Sequence, residues 1–306
     1  MLERIQNIHR QPLFALLGQA RRVHLENNRS KPMRLCALAN VKMGGCGEDC
    51  AYCAQSRRHS AGIRTTRWMT VRETAALARE GRRQGAVCMG ISAAWRGTRL
   101  NHPDFQRLMD LIAAIRREKL RPCATLGNIN LETAMALKQA GVDCYNHNLE
   151  TSPEFFKKII TTHTFEDRLS TIRHIRKAGM ALCCGGIIGM GEKTRDRLRL
   201  IEELAKLNPA PEGIPINCLM PISGTPLEKT PPMDPLDLIR FIATVRIVFP
   251  HSIVRLGAGR LGLSREAQAL CFYAGANGIF IGRRLLTAAN PAPDDDRRLL
   301  EKLALI

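Results

Sequence analysis

Aromatic side chains are scarce in this sequence. Two tryptophans, three tyrosines and nine phenylalanines make up 5% of the chain, which leaves few platforms on which bases could stack. Acidic residues are outnumbered as well, 28 against 46 lysines and arginines, for a net charge of +18. A surplus of that size raises the question of a nucleic-acid partner. The basic residues, however, fall in scattered pairs such as Arg82-Arg83, Lys157-Lys158 and Arg297-Arg298, with no long run. The charge is therefore assigned to solvated helix faces, and no nucleic acid is expected as a partner. Long apolar runs are missing too: nothing approaches the roughly 20 residues of a membrane span, so no membrane is expected. The first residues, MLERIQNIHRQPLFALLGQARRVH, carry only a short apolar run from Pro12 to Leu17 and no small-residue cleavage site. They read as an amphipathic helix rather than a signal peptide, and the expected location is cytoplasmic.

Cysteine is plentiful, but a pairing pattern is not. The chain has 11 cysteines, an odd number that argues for reduced thiols and metal ligation over a disulfide framework. Only Cys46, Cys50 and Cys53, and the neighbours Cys183 and Cys184, lie close together in sequence. Any other thiol site has to be assembled by the fold.

Short β-favouring runs alternate with helical patterns almost to the end of the chain. Strands are expected at 35–41, 86–92, 122–127, 142–148, 181–189, 213–220, 252–258 and 278–282. Between them lie helix signals: a Thr70–Glu73 capping box, an apolar stripe of Phe105, Leu108, Ile112 and Ile115, and Gly141 closing a helix begun at Leu131. Asp234-Pro235 reads as an N-cap with proline at the first helical position, and Ser264 as a cap for a helix to about Ala274. Strands joined by helices must run parallel, and eight such units match a (β/α)₈ barrel; an open doubly wound sheet is the competing architecture. With no linker and no fixed repeat, residues 1–306 are read as a single domain with an N-terminal helical extension over about residues 1–30. In a barrel, reactive groups gather at the C-terminal ends of the strands. The cysteine trio follows the first strand, and polar residues or cysteines interrupt nearly every later one.

The trio's spacing, C-x₃-C-x₂-C in GGCGEDCAYCAQS (44–56), is not that of zinc, which favours paired C-x₂-C knuckles and four ligands. A [4Fe–4S] cluster normally takes four thiolates; with three, one iron stays open to a small molecule. This arrangement is similar to the signature of the radical S-adenosylmethionine (SAM) superfamily, with Tyr52 where that superfamily places an aromatic residue. The resemblance implies a SAM molecule chelated to the open iron and cleaved by one electron.

Seven further stretches narrow the family: VCMGISAAW, YNHNLETSPEFF, TTHTFEDRL, CCGGIIGMGE, PINCLMPISGTPL, VRLGAGR and AGANGIFIG, in that order. Together they resemble the biotin synthases, from about residue 12 onward. That resemblance implies a radical SAM (β/α)₈ barrel and a second, [2Fe–2S] cluster that donates sulfur, held by Cys88, Cys123, Cys183 and Arg255. Cys183 is preferred over Cys184 because the family cysteine stands two residues before the first glycine; alternation then turns Cys184 to the opposite face. A guanidine ligand is chemically unusual, since deprotonating it near pH 7 costs roughly 7–9 kcal/mol. On the residues alone, Arg255 reads first as a charged partner to a sulfide or carboxylate; the resemblance reverses that order.

The same resemblance implies that Asn148 and Glu150 hold the SAM ribose, Arg168 its carboxylate, and GGIIGMGE its adenine. Asn146 and Asn217 would take the ureido ring of dethiobiotin, and Thr287 its carboxylate tail. Four positions depart from the family's usual pattern: Glu150 stands for aspartate, Ala288 for a second threonine, and Gly47 and Ala54 for prolines. The activity implied is sulfur insertion into dethiobiotin by a SAM-derived radical, with an electron-donor protein such as flavodoxin or ferredoxin, in a homodimer. The alternatives are a diverged relative of the methylornithine synthase or [FeFe]-hydrogenase maturase kind and, from another class, a basic iron–sulfur RNA-binding protein.

Overall fold

The computed structural model describes residues 1–28 and 32–306, so the end of the expected N-terminal extension, residues 29–30, lies outside the described residues. Among the described residues the main sheet has nine strands: β1 (Arg34–Lys42), β2 (Cys88–Ala93), β3 (Arg121–Thr125), β4 (Cys144–Asn146), β5 (Ala181–Cys183), β6 (Gly186–Ile188), β7 (Gly213–Cys218), β8 (Ile253–Leu256) and β9 (Gly278–Phe280). They pair in parallel in the order β5-β4-β3-β2-β1-β9-β8-β7-β6, and a β5–β7 contact, Cys183 opposite Gly213, closes the ring. Strands β5 and β6 together form one stave, so the sheet is an eight-stave barrel. The open doubly wound alternative is excluded by the closure.

One expected strand, 181–189, is broken between Cys183 and Gly186. The cause is a close backbone approach. A Cβ on Gly185 would stand 2.0 Å from the Pro215 carbonyl oxygen, a distance only glycine permits. The Gly185 carbonyl accepts from both Leu149 N–H at 3.0 Å and Glu150 N–H at 3.2 Å, which bends the ladder and moves the stave onto its neighbour.

The barrel wall shows the double burial of parallel strands. Outward residues such as Met89, Ile91, Ala124, Leu182, Val254 and Ile279 are fully buried under helices α3 (Val71–Arg83), α4 (Phe105–Arg117), α5 (Leu131–Gln139), α6 (Pro153–Ile159), α7 (Phe165–Lys177), α8 (Thr194–Lys206), α9 (Pro235–Val248) and α10 (Arg265–Tyr273). Caps fall where the chain chemistry places them. Thr70 and Glu73 form a reciprocal capping box, Asp234 accepts from Leu236 N–H, and Gly141 adopts φ +89° after α5. The last helix, α11 (Pro293–Lys302), has three aspartates in its first turn, favourable against the helix dipole. One of them, Asp296, makes a two-pronged ion pair of 2.6 and 2.7 Å with the buried Arg260, whose other contacts are Gln268 and the Phe280 carbonyl. Among the described residues no helix is long and apolar enough to cross a membrane.

Helices α1 (Leu2–His9) and α2 (Leu13–Asn28) precede the barrel. Arg240 of α9 donates to the carbonyls of His9 and Gln11 at 2.7 and 2.6 Å, and His9 Nδ1 lies 3.0 Å from the Thr244 hydroxyl. Burial, reinforced by the Arg240 guanidinium, pulls the His9 imidazole down to about 4. The unfolded chain therefore holds this proton more tightly. The stabilisation is complete above a pH of about 6.5 and is lost as pH falls toward about 4. Urea unfolding at about pH 7 and about pH 5 is expected to show a modest loss, about 1 kcal/mol, because water still screens the half-buried ring. His9→Gln should flatten the difference; an unaltered slope would refute this account.

Candidate active site

The inward positions of the staves and the loops at their C-terminal ends line one cavity of about 500 Å³. The individual site residues expected from sequence lie on it: Cys46, Cys50, Tyr52, Cys53, Cys88, Cys123, Asn146, Asn148, Glu150, Arg168, Cys183, Asn217, Arg255 and Thr287; of the GGIIGMGE segment, Ile187 does.

The cysteine loop leaves β1 through Gly44 at φ +76°, where a Cβ would meet the Arg64 carbonyl oxygen at 2.9 Å. Short backbone bonds then fold it: Cys46 N–H to the Gln55 carbonyl at 3.0 Å, Arg57 N–H to the Cys46 carbonyl at 2.9 Å, and Cys53 N–H to the Cys50 carbonyl at 2.9 Å. Acidic residues between the cysteines pin the loop to the turn joining α6 and α7. The Asp49 carboxylate accepts from Thr161 and Thr162 N–H at 3.0 and 3.2 Å. Glu48 lies 2.8 Å from His163 Nδ1 and 3.2 Å from Arg96. Sequence reasoning missed these anchors, although GEDC and TTHT supply complementary donors and acceptors. Burial raises all three thiols, Cys50 to about 12 and Cys53 to about 11. Thiols in that state give up their protons on binding metal.

Beyond the thiols runs a polar chain built by β4 and the segment after it. Asn146 Nδ2 donates to Asn148 Oδ1 at 3.2 Å and to the Cys183 carbonyl at 3.1 Å. Asn148 Nδ2 reaches Glu150 Oε2 at 3.4 Å. Glu150 sits at φ +70°, an unusual conformation for a non-glycine residue and one that gathers at functional sites. Burial pushes its carboxyl above the ordinary range against the opposing charge of Arg168. Arg168 of α7 is no solvated helix charge: it is buried, 3.8 Å from Glu150, and donates to the Asn148 carbonyl at 2.9 Å. Tyr52 lines the cavity beside Cys50 and Glu150, and burial drives its phenol up. Asn217 is half committed, its Oδ1 accepting from Ala258 N–H at 2.9 Å and its Nδ2 donating to the Gly186 carbonyl at 3.2 Å. One N–H and one lone pair remain for a ligand.

Deeper in the barrel the inward positions carry sulfur. Cys88, Cys123 and Cys183 lie here with Arg255, whose Nη1 is 3.9 Å from Cys183 Sγ and whose guanidinium stands 4.9 Å over the Phe280 ring. Cys184 is fully buried in the outer core, off the cavity. Two thiols not expected from sequence join the set, Cys36 on β1 and Cys144 on β4. Cys36 is in register with Cys88, and the coupling of the two thiols holds Cys88 below its ordinary range and Cys36 above it. Cys144 is in register with Cys123 on β3 and Ala181 on β5, and the neighbouring Cys123 thiol and burial drive its own thiol up. The signal was parity: Cys144 is two residues before Asn146, which already faced inward. Among the described residues no group of three or more His, Cys, Asp or Glu converges on a single-ion position.

At the mouth, a hairpin of β10 (Arg284–Leu285) and β11 (Ala288–Ala289) carries Thr287 over the cavity.

Comparison with known proteins places this geometry in context. Residues 40–205 match the Radical SAM superfamily and residues 215–306 the Biotin and Thiamin Synthesis associated domain. The chain is 46% identical over 98% of its length to the biotin synthase of Gloeobacter violaceus, covering 94% of that protein. It is 47% identical over 97% of its length to that of Sorangium cellulosum, covering 85% of it. Among solved structures, a methylornithine synthase superposes with a TM-score of 0.82 at 18% identity, over 100% of this chain and 92% of that one. An [FeFe]-hydrogenase maturase from Carboxydothermus hydrogenoformans superposes with 0.78 at 19% identity, over 98% of this chain and 77% of that one. Identities that low speak to the fold alone.

Proposed function

Because this chain belongs to the biotin synthase family of radical SAM enzymes, we propose that its cavity is the site of sulfur insertion into dethiobiotin, with the roles divided by depth. The enzyme uses a [4Fe–4S] cluster, a [2Fe–2S] cluster and SAM. When bound, these groups supply a carbon-centred radical for hydrogen removal and the sulfur that completes the ring. Everything else falls to the chain's own residues.

Cys46, Cys50 and Cys53 hold the outer cluster, three thiolates on a loop that offers no fourth and so leaves one iron for SAM. Asn148 and Glu150 take the ribose hydroxyls, and Arg168 the carboxylate. Arg168 Nε, Arg255 Nε and His147 Nε2 are buried without partners among the described residues, as expected where a polar ligand completes the set. Asn146 and the free half of the Asn217 amide face the ureido group, while Thr287 meets the carboxylate tail. With Ala288 beside it in place of a second hydroxyl, the tail is held by one side-chain hydrogen bond fewer than in relatives with two threonines, at a cost of about 1–2 kcal/mol. Cys88, Cys123 and Cys183 hold the inner cluster, with Arg255 at its fourth position. The walls exclude water and stray hydrogen donors from a reactive carbon. We further propose a single cytoplasmic domain acting as a homodimer and reduced by a flavodoxin- or ferredoxin-like donor.

One observation carries this reading: a single 500 Å³ cavity joins a three-thiol loop, a line of asparagine and carboxylate groups, and a deeper ring of thiols. The anaerobically reconstituted chain, given SAM, a reductant and dethiobiotin, is expected to form biotin. SAM cleavage without biotin would refute the substrate assignment.

A further inference from the structure

The cavity has a second end. Where the strands begin it is lined by Arg121, Asp143, Ala181, Glu212 and Ile253, and of these Arg121, Asp143 and Glu212 are exposed. We propose that this N-terminal mouth is the entry by which a small sulfur anion, hydrosulfide, reaches the inner thiols, with Arg121 as the residue that draws it in. This entry rests on the reading that Cys88, Cys123, Cys183 and Arg255 hold the sulfur-donating cluster, and it leaves that ligand set unaltered.

The mouth lies one layer of side chains from the cluster donors. Arg121 and Cys123 on β3, Ala181 and Cys183 on β5, and Ile253 and Arg255 on β8 are each two residues apart, so both members of a pair share the inward face. In a barrel such a layer is ordinarily filled by bulky branched residues. Here Ala181 and Gly213 stand in it, both on the cavity. A Cβ at Gly213 would come within 3.1 Å of Cys183 Sγ. These small residues leave the thiols uncovered from below.

The charge of the mouth suits an anion. Arg121 is in register with Cys88, and Arg34 precedes the cavity-lining Cys36 by two residues on β1. Neither arginine has an ion-pair partner among the described residues. Of the two acids at the mouth, Glu212 is neutralised by Arg176, whose Nη1 meets both carboxylate oxygens at 2.8 Å. That leaves Asp143 against Arg121 and Arg34. A cleft of net positive charge concentrates an anion and speeds its arrival.

The order of groups along the staves gives the route its use. From the mouth upward, Asp143, Cys144 and Asn146 follow one another on β4 and its lead-in, and Gly213 precedes Asn217 on β7. The inner thiols thus lie between this mouth and the amides proposed to hold dethiobiotin. Sulfur spent on the substrate leaves on the upper side, and replacement from below requires neither SAM nor product to move. Entry itself is diffusion and binding; it forms no bond and transfers no electron.

The test uses the full chain, free of clusters, as wild type, Arg121→Lys, Arg121→Glu and Ala181→Trp. Each is treated with iodoacetate, an anion, and with iodoacetamide, its neutral counterpart, and alkylation is followed at each cysteine by peptide mass spectrometry. Dividing the two rates cancels the intrinsic reactivity of each thiol. At Cys88 and Cys123, Arg121→Glu is expected to lower the anion-to-neutral ratio by about threefold or more, and Arg121→Lys to preserve it. At Cys46, Cys50 and Cys53, at the other end of the cavity, the ratio should not move. Ala181→Trp should slow both reagents at the inner thiols and neither at the outer ones. In a second arm the chains are reconstituted anaerobically with iron and sulfide in the presence of SAM and dethiobiotin. Growth of the [2Fe–2S] absorption should be slower in Arg121→Glu and Ala181→Trp than in wild type, with [4Fe–4S] growth unchanged. An inner-thiol ratio unaltered by Arg121→Glu overturns the proposal, as does a ratio that shifts equally at the outer cysteines. Equal [2Fe–2S] growth in all four chains also overturns it. If Ala181→Trp does not fold, the Arg121 pair decides alone. Wild type that assembles no [2Fe–2S] cluster refutes the underlying reading, and the alkylation ratios then decide the route separately.

Discussion

Cys50→Ala is expected to lower reductive SAM cleavage by more than about a thousandfold, equivalent to about 4 kcal/mol of barrier. The inner cluster's visible absorption should survive the substitution. The reason is the scarcity of donors at the mouth. The loop presents three thiols, and none of the other eight cysteines is on it. A cluster that already lacks one protein ligand cannot lose a second and stay anchored. The inner thiols belong to different elements, the barrel staves themselves, so their geometry does not depend on Cys50. Deoxyadenosine release measured by chromatography, alongside iron and sulfide counts, checks both halves. Loss of both chromophores together would mean that the two sites do not form independently. The mirror experiment, Cys183→Ala, should remove the [2Fe–2S] absorption and keep SAM cleavage. If Cys184→Ala did so instead, the inward face of that stave would be misassigned.

Asp296→Ala is expected to destabilise the fold by about 3–5 kcal/mol, the range for stranding one member of a buried ion pair. Arg260 has no exposed side-chain surface and Asp296 is 4% exposed, so water cannot take over the lost partner. The two-pronged geometry makes the loss larger than for a surface pair, whose median contribution is below about 1 kcal/mol. Urea unfolding gives the number. The double substitution Arg260→Met with Asp296→Leu should recover most of it, because replacing both charges by apolar groups removes the desolvation penalty. The effect should also reach the chamber. Arg260 holds the Phe280 carbonyl at 3.0 Å, and the Phe280 ring faces Arg255. No recovery in the double variant would point to a packing defect in α11 instead of an unpaired charge.

The architecture was legible because short β-favouring runs alternate with helical patterns whose caps punctuate the gaps. The trio was legible because it is local. Cys183 and Cys184 were separable because the resemblance places the family cysteine two residues before the first glycine, and alternation then turns its neighbour to the other face. What escaped were features set by register between distant segments. The break at Gly185 depends on where Pro215 lies on the next stave. The pairs Cys36–Cys88 and Cys123–Cys144 depend on which residues stand opposite each other, and nothing within either segment states that. Cys144 could have been found by applying strand alternation to Asn146, two residues further on. The anchoring of Glu48 and Asp49 by residues 161–163 spans more than a hundred positions, and such polar contacts leave no periodic trace.

The turn between α6 and α7 fastens the cysteine loop through Asp49 and Glu48, while Arg168 rises from α7 and Glu150 leads into α6. The thiols proposed to hold iron and the side chains proposed to hold the cofactor are thus fastened to one bracket. Thermal wobble of that bracket against the barrel would carry both sets along together and leave the gap between metal corner and sulfonium nearly constant, which is the one spacing a bond-breaking electron transfer cannot tolerate losing.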